Sequence, residues 1–471
     1  MRLNTALFPL TALLVWSGAA HATDYYAAPP GTTPGCTPDG SRACPWIGAW
    51  SGLNRMLTLG GDRLLLLDGE YGGLDLYNFG FDHPVTVQSL NGKAAHFDYL
   101  TIKDGSKNLT FKDLSVWPSD PHNRTNPVVS AFGATSFITL DGLDVRSGAD
   151  AGNYMTWSKD EWTSRYTSGV ELQGPNSVLK NSRLTGLYMG AGIYNKNSAM
   201  LNNVVDGFSG DAYRVVGDDS TVSGNTATNC FKIDTNHSDG LQSWSYNDPD
   251  GVISGLTITN NAFLEWNSPQ TNALRCSLEG IFFGDGPYQN ITIQNNLISV
   301  TQYHGISVYG GQGVKIINNT VVNARGLEGI APWIGIFNQA GRAPAQNITV
   351  ANNLEMSFHD EVGSPGVTYM NNSALIGLAN LFPGLANFDY RPSAVSGFID
   401  TGAVAYAPAT DILFAPRPFG AGPDRGAYEV GATPPSGTTS GGTTGGTTGS
   451  TSGDTTSKWG KFLKPPSKLR G

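Results

Sequence analysis

Residues Gly280 to Asn319 read GIFFGDGPYQNITIQNNLISVTQYHGISVYGGQGVKIINN. Two short runs occur twice within them. Gly280-Ile-Phe-Phe-Gly and Gly305-Ile-Ser-Val-Tyr open on glycine and continue as a strand, while Ile293-Gln-Asn-Asn and Ile316-Ile-Asn-Asn close on paired asparagines. Outward from this stretch the first run recurs at Gly169, Gly192, Ala212, Gly240 and Gly335. The second recurs with its last asparagine at Asn203, Asn225, Asn261 and Asn353. The last asparagines, at 203, 225, 261, 296, 319 and 353, are separated by 22, 36, 35, 23 and 34 residues. A step of 22 or 23 suits one coil of a parallel β-helix, and the longer steps suit one coil plus a loop. Each asparagine amide can bond the coil above and the coil below, which predicts an internal ladder at a tight corner.

The rest of the chain fits an all-β solenoid, a right-handed parallel β-helix with an N-terminal cap and a flexible C-terminal tail. Charged residues make up only 14% of the chain, and glycine is abundant at 60 residues, a composition of short strands and turns and not of helices. A net charge of -9 argues against nucleic acid as a partner. Residues 1–22 read as a signal peptide: Arg2, an apolar core from Ala6 to Trp16, and Ala20-His21-Ala22 as a cleavage site. That core is too short for a membrane span and no later stretch reaches spanning length, so the expected location is secreted or periplasmic. Residues 23–62 form the cap segment, with one amphipathic helix between Trp46 and Leu59 to cover the open strand edge. Residues 63–382 form the coils and 383–431 the closing segment. The last of these, with Pro423-Asp-Arg-Gly-Ala-Tyr-Glu at its end, resembles the terminal segment of secreted bacterial β-helix proteins. Residues 432–471 form a Gly/Thr/Ser linker and a basic tail. A monomer is expected. Cys36 and Cys44 are close enough for a loop-closing disulfide, whereas Cys230 and Cys276 either pair across neighbouring turns or stay as buried thiols.

Alternation along each strand then gives a surface. With the residue after each glycine inward, the next one points out: Glu171, Tyr194, Arg214, Gln242, Phe282, Ser307 and Phe337. Two further along come Gln173, Lys196, Val216, Trp244, Gly284, Tyr309 and Gln339. The residue before the glycine is Asp211, Asp239, Glu279 or His304 in successive runs. Straight alternation would turn these inward, but glycine often marks a bend, so they are placed at the groove edge. Coils lie about 4.8 Å apart, so these columns outline a groove the size of a few sugar units. Aromatic faces beside charges and amides suit an anionic polysaccharide. Lys232 and His237 lie just before the Gly240 strand, leading into this groove.

A uronic-acid polymer can be cut by β-elimination if a site neutralises the carboxylate, removes the adjacent carbon-bound proton and protonates the leaving oxygen. Tyr194, Arg214, Lys232 and His237 supply the residue types for all three. Lys232 is assigned as base and Tyr194 as proton donor, two roles open to exchange, with Arg214 and His237 on the carboxylate. Lys196, Asp239, Gln242, Trp244, Glu279, His304 and Tyr309 are assigned to substrate binding. No cofactor is required and no metal ligands are assigned, although calcium could bridge substrate carboxylates and acidic groove residues.

The region from Gly192 to Val322 resembles the secreted right-handed parallel β-helix polysaccharide lyases. Lys232-x4-His237-Ser-Asp239-Gly240-Leu-Gln242 is similar to a His-x-Asp-Gly-Ile-Gln stretch in that group. Among them, alginate lyases acting on poly-guluronate are thought to use a Tyr and a Lys, which the resemblance carries onto Tyr194 and Lys232; Tyr188 and Tyr213 are rivals for the tyrosine. Other classes leave traces. Asp120-Pro121-His122 matches part of the Asp-Pro-His-Asp signature of mannuronan epimerases, and Asn123 breaks it. Asp218-Asp219 matches the paired acids of polygalacturonases, whose Gly-His-Gly is absent from this sequence. A glycoside hydrolase using Asp239 and Glu279, and a non-catalytic glycan-binding β-helix, are the remaining alternatives.

Overall fold

The computed structural model describes residues 23–33, 35–245, 250–326 and 330–434. The proposed signal peptide and most of the linker and tail lie outside the described residues. Among these, the strands form three long parallel sheets of 14, 12 and 11 strands. The chain visits the three sheets in turn and pairs each strand with its counterpart one coil later, so Val222 pairs with Ile258, Ile258 with Ile293, and Ile293 with Ile316. The fold is a right-handed parallel β-helix. Its core is one column of inward side chains running from Ala27 to Val350. The N-terminal helix begins at Ala49, three residues later than the sequence suggests, because Trp46–Ile47 pairs as a short strand with Ala27 and Ala28. The helix runs from Ala49 to Leu59 and buries Ala49, Gly52, Leu53 and Met56 against the first coils.

The asparagine ladder is continuous. Asn203 donates through Nδ2 to Oδ1 of Asn225 at 2.9 Å, Asn225 to Asn261 at 3.0 Å, Asn261 to Asn296 at 3.0 Å, Asn296 to Asn319 at 3.0 Å, and Asn319 to Asn353 at 3.0 Å. The same amides also bond backbone carbonyls of the preceding turn, among them those of Leu179, Met200 and Val222. The first asparagine of each pair does different work. Asn202, Asn260, Asn295, Asn318 and Asn352 take φ of 57°, 58°, 54°, 53° and 57°, the left-handed corner that Asn and Gly accept most readily. Gly224, at φ 70°, fills that corner in Val222-Ser-Gly-Asn225, which explains the one variant run. Three of these outward asparagines, Asn260, Asn295 and Asn318, donate to the carbonyls of Asp411, Thr410 and Asp424. Residues 375–428 accordingly lie along the 12-stranded sheet, packing Phe382, Tyr390, Ile412 and Tyr428 with Leu264, Leu297 and Leu354.

The longer steps of the repeat put their extra residues mainly at one edge. Loops 231–237 and 265–277 each lead into a strand of the 11-stranded sheet, as does the segment 148–168. Tyr154, Trp157, Trp162, Tyr188, Phe231, Ile233 and Trp266 pack these insertions on one another. Cys36 and Cys44 are paired, and so are Cys230 and Cys276, which settles the open alternative for the second pair. The Cys230–Cys276 bond ties the start of the loop that carries Lys232 and His237 to the end of loop 265–277.

Candidate functional site

The glycine column makes the site possible. A Cβ at Gly240 would sit 2.8 Å from Phe263, and one at Gly280 2.5 Å from Ile298, both core residues. Each glycine therefore faces inward, as does the next residue, and the strand bends there. The residue before the glycine is turned to the groove face. Asp239, Glu279 and His304 occupy that position on three successive strands, with Asp239 in register with Glu279, and Asp211 holds the equivalent place before Ala212 one coil earlier. They are more enclosed than a groove edge would be, with exposures of 0%, 6%, 6% and 1% in that order.

The first outward column is Glu171, Gly192, Arg214, Gln242, Phe282, Ser307 and Gly335. This corrects the placement of Tyr194 and Phe337, which the sequence put in this column. Ala191, not Ile193, pairs with Val170, and Ile334, not Ile336, pairs with Ile306. Both runs are slipped by two residues, so each side chain keeps its face and changes its neighbours. Tyr194 falls in the next column, whose later members include Trp244 and Tyr309, and its ring lies 6.4 Å from that of Trp244. Lys196 is moved on into the exposed turn, off the sheet. Tyr194 nevertheless reaches the first column. Its ring folds back over Gly192, where a Cβ would meet the hydroxyl at 2.6 Å, and lies beside Arg214 and Glu171.

Charges concentrate on these strands. Arg214 donates through Nε to Oδ2 of Asp211 at 2.8 Å and lies 5.4 Å from the Trp244 ring centroid. Asp211 also accepts the backbone N–H of Asp239 at 3.1 Å. His237 approaches Asp239 Oδ2 through Nδ1 at 3.1 Å and Glu279 Oε2 at 3.9 Å. Burial pushes the carboxyls of Asp211, Asp239 and Glu279 up, against the pull of Arg214 or His237. The bond to Asp239 raises His237 to about 9, so its ring is a cation at neutral pH. Burial, with the Glu171 charge, pushes the Tyr194 hydroxyl up to about 12, which keeps it protonated. His304 goes the other way: burial and the His237 charge lower it to about 4, and Nδ1 lies 2.7 Å from the Ser307 hydroxyl.

Lys232 lies in the loop and donates to the carbonyl of Asn236, the residue before His237. Tyr213 is buried, its hydroxyl bonded to the carbonyls of Asn203 and Thr226, so its role is structural. Tyr188 is stacked on Tyr166 at 3.9 Å, in the aromatic cluster below the loop. His122 closes a turn on Asp120, and Asp218 accepts the N–H of Ser254, so both rival signatures have local structural work.

A row of aromatic rings continues the groove. Tyr309 stacks on Phe337 at 4.4 Å and 12°, and His359 stacks on Trp333 at 5.1 Å and on Phe337 at 5.2 Å. Phe282 lies 4.8 Å from His304. The sequence reading named Tyr309 and His304 but not Trp333 or His359, which the two-residue slip hid. Asp211, which was not among the residues assigned to the site, is the group that fixes Arg214.

The family model for a right handed beta helix region matches residues 153–354. That span covers the whole charged cluster. No curated protein matches the chain. Among solved structures, the β-helix is similar to the A-module of a mannuronan C-5 epimerase from Azotobacter vinelandii, at 17% identity over 69% of this chain and 94% of that one, with a TM-score of 0.44. It is also similar to a pectate lyase, at 15% identity over 86% and 96% with a TM-score of 0.43. A surface adhesin of Streptococcus pneumoniae is similar at 11% identity over 69% and 87%, with a TM-score of 0.40.

Proposed function

We propose that this chain is an enzyme that acts outside the cytoplasm and cleaves a uronate-containing polysaccharide by β-elimination, with alginate the favoured substrate. The observation that carries the reading is the grouping of Arg214 and the Tyr194 hydroxyl on one rigid sheet face, with the His237 cation at the end of the loop beside it and a row of stacked rings continuing the groove. Two cations on the substrate carboxylate withdraw charge from the adjacent carbon. Lys232 takes the proton from that carbon. The electron pair forms a double bond in the ring, the bond to the leaving oxygen breaks, and Tyr194 donates its proton to that oxygen. A hydroxyl held protonated by burial suits the donor role, which supports the reading of Tyr194 as proton donor and Lys232 as base. Asp239 is enclosed, so it acts on substrate through His237. The disulfides support an oxidising compartment. Among the described residues, no helix is long and apolar enough to cross a membrane.

Ultraviolet absorbance during incubation with poly-guluronate, poly-mannuronate, pectate and glucuronan tests the reaction. Wild type is expected to generate an unsaturated sugar end on one of them. Lys232→Ala and Tyr194→Phe are each expected to lower kcat by about 10²- to 10⁴-fold. New reducing ends without absorbance would replace elimination by hydrolysis, and inverted sugar stereochemistry in an uncut polymer would replace it by epimerisation.

A further inference from the structure

Asp239 is fully enclosed, yet its Oδ1 receives no hydrogen bond from any described residue. A buried carboxylate oxygen without a donor costs free energy unless something positive meets it. The groups around it are all potential ligands. One donor atom each from His237, Asp239 and Glu279 lies within 4.8 Å of the other two, and His237 Nδ1 is already 3.1 Å from Asp239 and 3.9 Å from Glu279. Ligands at bonds of about 2.0–2.2 Å sit roughly 3.0–3.5 Å from one another, so small side-chain rotations would close the set.

From this geometry we infer that His237, Asp239 and Glu279 form a divalent-cation site, and that it takes an ion of the zinc or manganese class. The charges balance. Asp211 is already matched by Arg214, which leaves the Asp239 and Glu279 carboxylates to one dication; the ion takes the place of the His237 proton, so the ring is neutral in the metal-bound form and the dication replaces the His237 cation as the positive charge facing the groove. An imidazole nitrogen beside two carboxylates suits zinc or manganese, whereas calcium wants six to eight oxygen ligands. Two ligands stand on rigid adjacent strands, and the third is on the loop pinned by Cys230–Cys276. The His237 side chain is 58% exposed, so the remaining coordination positions open onto the groove.

The test uses the full-length chain, stripped with chelator and free of polysaccharide. Zinc affinity is measured by competition with a chromophoric chelator, manganese by electron paramagnetic resonance, and calcium and magnesium by displacement. One zinc or manganese ion per chain is expected, with calcium bound at least tenfold more weakly. His237→Ala and Asp239→Asn should each weaken zinc binding at least tenfold and abolish the rise in Tm that zinc gives wild type. His122→Ala, an exposed histidine elsewhere, should change neither. Because His237 is exposed, its alanine variant keeps the fold, checked by near-ultraviolet circular dichroism. Absence of stoichiometric binding, zinc binding unaffected by His237→Ala, or calcium bound as tightly as zinc would each overturn the site.

Discussion

Asn261 shows how much one side chain carries in this fold. Its Oδ1 accepts from the backbone and side-chain N–H groups of Asn225, and its Nδ2 donates to Val222 and to Asn296. Alanine there would remove four buried hydrogen bonds, strand the Asn225 backbone N–H, leave the Asn225 and Asn296 amides one partner short and open a cavity between coils. Such groups cost about 1–3 kcal/mol each when stranded, so Asn261→Ala should lose about 3 kcal/mol or more, read as a lower urea midpoint. The ladder was legible because an amide that must bond above and below cannot be exchanged for another side chain. The charged cluster was less legible. Arg214 and His237 stood out by type, and their partners lie close in sequence, Asp211 three residues before Arg214 and Asp239 two after His237. The sequence does not say that Glu279, on the neighbouring coil, stands beside His237 and Asp239.

At the scale of the strand, the glycine column sets the bend that turns Asp239, Glu279 and His304 to the groove. Gly280→Ala would place a methyl group 2.1 Å from the Gly305 carbonyl oxygen and 2.5 Å from Ile298. A backbone carbonyl held in a ladder cannot step aside, so strands 278–283 and 304–309 would have to separate. Overpacking of this kind costs about 1–3 kcal/mol. A lower Tm is expected for Gly280→Ala, together with loss of activity, since Glu279 is the next residue. Gly152→Ala is the matched control: nothing lies within 4 Å of its added methyl, so its Tm should be unchanged.

For the whole molecule, buried titrating groups set opposite limits on pH stability. Burial pushes the Glu355 carboxyl up to about 8, where it accepts from the Tyr369 hydroxyl, and pushes Asp424 to about 6. Unfolded carboxyls ionise near about 4. Between those values the folded chain holds protons that the unfolded chain releases, so stability falls as pH rises from about 4 through about 8. His304 acts at the acid end. The unfolded ring binds a proton below about 6.5, the folded one only near about 4, so stability falls as pH drops through that window. Glu355→Gln keeps an acceptor for Tyr369 and removes the charge. It should raise stability at pH 8 by about 2 kcal/mol or more and change little at pH 4, read from urea midpoints at the two values.

The sequence by itself determined the solenoid, its corners and the chemistry available to it. A period of 22 or 23 residues, a left-handed corner that wants asparagine or glycine, and an inward amide ladder are local requirements, each written at its own position. The register of two runs was decided only by the tertiary structure. Met189-Gly190-Ala191-Gly192 offers two glycines for one position, and a strand pattern of period two is unchanged by a shift of two. The slip keeps Tyr194 on the outward face while moving it a column along. Whether it meets Arg214 then depends on its ring folding back over Gly192. The same holds for the cluster at Asp239: His237 stands two residues before it, but only the pairing of neighbouring coils brings Glu279 alongside.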